Sequence, residues 1–170
     1  MKNIIIGFML TAAWTWAVDL GSVPPKVTLS GKDGGIVDGP AWSSAMIKNK
    51  VTVLFYVDPD RKDDNNVLDK ALQAKHFNRK KYRSIAIVNM EATWMPDAII
   101  ERKLSNKKKE FPDTLYVKDK NKVLVKKWGL EDDASDVLLF DKSGKLIYKK
   151  FGRLGHKEIA KVIKLIEGNL

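Results

Sequence analysis

The stretch that most constrains this chain is Val51–Val57, a run of β-branched and large apolar residues that stops abruptly in Asp58-Pro59-Asp60-Arg61-Lys62-Asp63. Such a run, without polar alternation, predicts a strand covered on both faces. Val67, Leu68, Ala71 and Leu72 follow at helical spacing, with Asp63-Asp64-Asn65 placed to cap that helix at its positive end. A covered strand feeding a helix is the unit of an α/β domain. Its site is expected at the C-terminal end of the strand.

The rest of the chain extends that unit. Residues 26–38 predict a hairpin around Gly31-Lys-Asp-Gly-Gly35, and Gly39-Pro40 ends it. Ala41–Lys48 reads as a short helix or turn. Ser84–Met90 is a second buried strand. Pro96 opens a helix with Ile99, Ile100 and Leu104 on its apolar stripe and Lys107-Lys-Lys109 at its negative end. Thr114–Val117 is a short strand, and 120–128 reads as helix closed by Gly129. Asp136–Asp141 and Lys145–Phe151 form a hairpin about Lys142-Ser-Gly144. A last amphipathic helix runs from His156 to Glu167.

The N-terminus carries a different signal. Lys2 precedes an apolar run from Ile4 to Ala13, and Thr15-Trp16-Ala17 offers small residues at −3 and −1 of a cut. That order predicts a secretory signal peptide over 1–17 and one folded domain over 18–170, with a periplasmic or secreted location. An uncleaved anchor is the alternative, although a membrane-spanning helix needs about 20 apolar residues.

Composition narrows the chemistry. The chain has no cysteine, which excludes disulfides, thiol catalysis and Cys-ligated metal. Lys and Arg exceed Asp and Glu by 31 to 21, giving a net charge of +10. That balance draws a protein to anionic surfaces without naming one.

The order of elements, and above all Trp128-Gly-Leu-Glu-Asp-Asp-Ala-Ser-Asp-Val-Leu-Leu-Phe-Asp-Lys-Ser-Gly-Lys145, resembles the thioredoxin-like fold of exported thiol oxidoreductases and peroxiredoxins. The resemblance implies an α/β fold with a mixed central sheet flanked by helices and an N-terminal β-hairpin extension. It departs at both diagnostic positions. Asp58–Asp63 stands where that fold places its cysteines, and Ser135 stands in place of its cis-proline. More narrowly, Val23-Pro24-Pro25, Ala86-Ile-Val-Asn89 and Ser135–Gly144 resemble the YtfJ family of exported bacterial proteins. Neither resemblance implies a reaction. They imply a thioredoxin-like protein without thiol redox or peroxidase activity, acting as a binding or accessory module of the bacterial envelope rather than as an enzyme.

Three candidate sites follow. The first is a binding face of Asp58, Pro59, Asp60, Arg61, Asp63, Ser135 and Asp136. The resemblance implies that the Ser135 backbone hydrogen-bonds an extended peptide, so an envelope protein or peptide is the expected partner. Second, the acidic loop 58–64, with Asp58, Asp60, Asp63 and Asp64, is the alternative site, a divalent-cation cluster on Asp58, Asp60 and Asp63 or a hydrolytic one, since hard cations take closely spaced carboxylates. Arg61 and Lys62 oppose a cation there, and a solvated helix start is the plainer reading. No other cofactor is expected. Third, Lys75–Arg83, Arg102–Lys109 and the lysines at 118, 120, 122, 126 and 127 form a basic surface that suits anionic envelope components. No nucleic acid is expected, because the motifs that read it are missing. His76 and His156 lack metal-ligand spacing.

Overall fold

The computed structural model describes residues 18–170; the expected signal segment, 1–17, lies outside the described residues. The architecture is thioredoxin-like. A six-stranded mixed sheet is built from β2 (Gly34–Ile36), β4 (Val51–Val57), β5 (Tyr82–Asn89), β6 (Thr114–Asp119), β7 (Ser135–Phe140) and β8 (Leu146–Lys150). Their order is β2-β6-β5-β4-β7-β8. β4 runs parallel to β5 and β5 to β6, while β7 and β8 return antiparallel. The helices are α1 (Asn66–Ala74), α2 (Asp97–Glu110), α3 (Val123–Trp128) and α4 (His156–Asn169).

The covered reading of β4 holds because its residues alternate between two cores. Leu54 and Tyr56 join Ile85, Ile87, Leu138 and Phe140 beneath α3 and the Trp42–Trp128 pair. Val51, Val53 and Phe55 face the other way, against Leu68 and Leu72 of α1 and Ile159, Val162 and Ile166 of α4. Each fully buried aliphatic or aromatic side chain contributes roughly 1.5–3 kcal/mol, so the two layers hold the sheet between them.

The N-terminal extension is a small antiparallel sheet, with pairing that differs from the expected 26–38 hairpin. β1 (Thr28–Leu29) pairs with β3 (Trp42–Ser43), and β2 joins β6 at the edge of the main sheet. Gly34 permits this. It sits at φ +112°, and a Cβ there would lie 2.0 Å from the Lys118 carbonyl oxygen. Gly129 closes α3 at φ +63° as expected. The chain is tied down from its first described residue, with the Val18 amide donating to the Trp128 carbonyl at 3.0 Å.

Candidate functional site

β4 delivers its end to the turn that the sequence singles out. Asp58 is buried and caps the short 3₁₀ turn Pro59–Arg61, its carboxylate accepting from the Asp60 amide at 2.8 Å. Burial raises its carboxyl above the usual range, against the pull of that amide. Asp60, Arg61 and Asp63 are exposed. Asp63 is held low by Lys62 and Asn66, which both donate to it. Among the described residues no three carboxylate or imidazole groups gather as a metal site. Of the expected ligand set, Asp58 is engaged by the turn, Asp63 accepts from a lysine and an asparagine, and Asp60 is exposed.

The expected helix cap is corrected. The Asn65 side chain makes no capping bond. It turns inward and donates to the Ser135 carbonyl at 2.8 Å, to Ser135 Oγ at 3.2 Å and to the Gly152 carbonyl at 3.2 Å. Its oxygen accepts from the Leu154 amide at 3.0 Å. Ser135 is buried, its carbonyl accepts from Asn65, and it lines the end of a groove between α1 and α2. Asp136 is wholly buried on the opposite face, facing Tyr56 in register. The structure thus divides the face read from sequence: Asp60, Arg61 and Asp63 lie at the surface, Pro59 and Ser135 line the groove, and Asp136 is sealed beneath.

That opposite face holds polar residues the sequence reasoning missed. Tyr56 donates to Asp119 at 3.1 Å, and Asp119 also accepts from the Val123 and Leu124 amides at 2.9 Å each. Asn89, the register partner of Asp119, donates to Asp132 at 2.8 Å, and Lys122 reaches the same carboxylate at 2.7 Å. Burial pushes the Asp136 carboxyl up to about 7, against the Glu131 and Gly152 amides that favour its charge. A general acid must reach its substrate, and Asp136 is sealed. The available signal was positional: in β5 and β6 the last residue on the covered face, Asn89 or Asp119, is polar.

One opening lies on the α1–α2 side. A groove of about 400 Å³ runs from Pro59, Asn65 and Ser135 over Val57, Ala86 and Val88 to Tyr116. It exists because β5 presents Ser84 and Ala86 there, side chains too small to fill the space between the helices. α2 also buries only Ile100 and Leu104. Lys62, Lys103 and Lys107 line the groove against Asp69 and Glu110. Burial holds the Asp69 carboxyl above its usual range, and Gln73 donates to it. His76 and His156 are both exposed. Much of the basic surface is internally paired: Lys118 and Lys120 both meet Glu101, and Lys122 meets Asp132.

The fold and the composition together describe a thioredoxin-like protein without cysteine. A crystal structure of the thioredoxin domain of a thiol-disulfide oxidoreductase from Bacteroides vulgatus has a TM-score of 0.64 to this chain at 17% identity, covering 88% of this chain and 99% of that one. The chain belongs to the YtfJ_HI0045 family, described as "Bacterial protein of unknown function", which matches residues 28–169. An uncharacterised Haemophilus influenzae protein is 31% identical over 146 residues, 84% of this chain and 78% of its own length. The Escherichia coli protein YtfJ, also described as uncharacterised, is 28% identical over 129 residues, 74% and 70% of the two chains.

Proposed function

We propose that this protein is a non-redox binding module of the bacterial envelope, exported by residues 1–17 and folded from Val18 onward. The groove between α1 and α2 is its ligand seat. The observation that carries the reading is the half-buried floor of Val57 and Ala86, with the buried Val88 behind it, beside the turn that begins at Pro59. A recess of this volume suits a small ligand or the apolar part of a larger one. Lys62 and Lys107 are paired with Asp63 and Glu110, and Lys103, which pairs with no carboxylate among the described residues, suits an anionic group on the occupant. Cleavage after Ala17 fits the packing at Val18, because an α-ammonium keeps the bond to Trp128.

The test uses a dansyl-labelled fatty acid as an anionic apolar probe. Saturable fluorescence enhancement is expected with the natural protein, and its loss with Ala86→Phe, which fills the groove, while circular dichroism stays unchanged. No saturable binding, or equal binding by A86F, overturns the reading. For export, the expected result is a protein in the periplasmic fraction whose first residue is Val18; retention in the membrane fraction with Met1 intact overturns it.

A further inference from the structure

The groove does not end at Tyr116. Ser84, Thr114 and Tyr116 are also the wall of a second recess of about 590 Å³ at the N-terminal end of β5. Lys50, Arg79, Arg83 and Lys108 line it, against one carboxylate, Asp113. Asp113 is occupied by Arg79 at 3.0 Å.

Arg83 is the unusual member. Its Nη1 is buried with no hydrogen-bond partner, and no carboxylate pairs with it among the described residues. The hydroxyl of Tyr82, a residue 3% exposed, is likewise buried without a partner. A half-buried guanidinium is costly unless something neutralises it, and buried donors are rarely left unmatched. Lys50 adds charge at the rim while donating to the Arg79 carbonyl at 2.6 Å, and Lys108 donates to the Val37 carbonyl at 2.8 Å with the Asp38 carboxylate 3.9 Å away. Both ammonium groups have further protons to offer.

We infer that this recess binds the phosphate group of an amphiphile whose apolar part lies in the adjoining groove. Arg83 is the principal ligand, because a guanidinium meets two phosphate oxygens at once. Lys50 and Lys108 hold the remaining charge. The volume exceeds a bare phosphate, and Ile36, Met46 and Leu115 supply apolar wall. The inference rests on the groove reading for the placement of the apolar part alone.

The test is calorimetric titration with two probes. Glycerol phosphate carries the head alone; lysophosphatidic acid, kept below its micelle concentration, adds an acyl chain. Arg83→Gln should weaken both about ten- to hundredfold, the usual loss for a charge-assisted contact. Lys164→Gln, an exposed lysine on α4, should change neither. R83Q should also unfold at the same or a higher temperature without ligand, since an unpaired cation is removed. Should R83Q fail to fold, Lys50→Gln with Lys108→Gln is expected to give the same selective loss.

Tighter binding of the lysolipid, with the gain removed by Ala86→Phe, assigns a lipid head group. Equal binding of the two probes keeps the phosphate site and assigns a free organic phosphate. No binding of either probe, or equal weakening by R83Q and K164Q, overturns the inference. A86F sensitivity without R83Q sensitivity overturns the phosphate site and leaves the groove standing; R83Q sensitivity without A86F sensitivity does the reverse.

Discussion

The side-chain amide of Asn65 lies 2.8 Å from the carbonyl oxygen of Ser135, seventy positions later in the chain. It joins the start of α1 to the start of β7, and its oxygen fastens the Leu154 amide as well. Asn65→Ala removes every one of these bonds and leaves buried backbone groups unmatched. A loss of about 2–4 kcal/mol is expected, measured by urea unfolding. A loss below ~0.5 kcal/mol would show that water replaces the amide.

Asp136 sets a pH dependence. Its carboxyl titrates near 7 when folded and near 4 when unfolded. Between those values the unfolded chain ionises while the folded chain keeps its proton, so stability falls as pH rises through that window and then levels off. The effect amounts to at most about 4 kcal/mol. Asp136→Asn should match the natural protein at pH 4 and exceed it at pH 8. An equal difference at both pH values would contradict the assignment.

Tyr56 and Asp119 should behave as one unit. Asp119→Ala uncaps α3 and strands the Tyr56 hydroxyl, costing about 2–4 kcal/mol. Tyr56→Phe removes that hydroxyl. The double variant should therefore cost less than the two single losses combined, as groups in one network do. Strict additivity in denaturant melts would show that the 3.1 Å contact carries no coupling.

Gly34→Ala should be among the most damaging small substitutions in the molecule. The added methyl would meet the Lys118 carbonyl oxygen at 2.0 Å on a backbone at φ +112°. The cost is expected to be about 3 kcal/mol or more. β2 would separate from β6, detected as faster amide exchange at Lys118 and Lys120, whose N–H groups face β2. Unchanged exchange would mean that the edge pairing tolerates the shift.

Much of this architecture was legible in the sequence. The covered run Val51–Val57, the spacing of α1 and α4, and Gly129 after α3 act through near neighbours, and each appears as read. The N-terminal pairing was not legible, because Gly31–Gly35 suits a local hairpin as well as the detour that carries β2 to β6. Asn65 was read as a cap because a polar residue before a helix usually is one. Only β7, brought alongside by the fold, offers it better partners. The groove depended on what Ser84 and Ala86 fail to fill, a property of three packed elements together. Asp58 and Ser135 were placed at the right end of the sheet, but their burial could not be read from the residues themselves.

Ser84 and Ala86 also set stability against binding. A larger apolar residue at Ala86 would bury more surface against Ile100 and Leu104, and cavity-filling changes of this kind commonly add about 0.5–2 kcal/mol. A library of variants selected only for resistance to heat should therefore enlarge position 86 early and lose the proposed groove binding in doing so. One selected for ligand retention should keep the alanine and find its stability elsewhere.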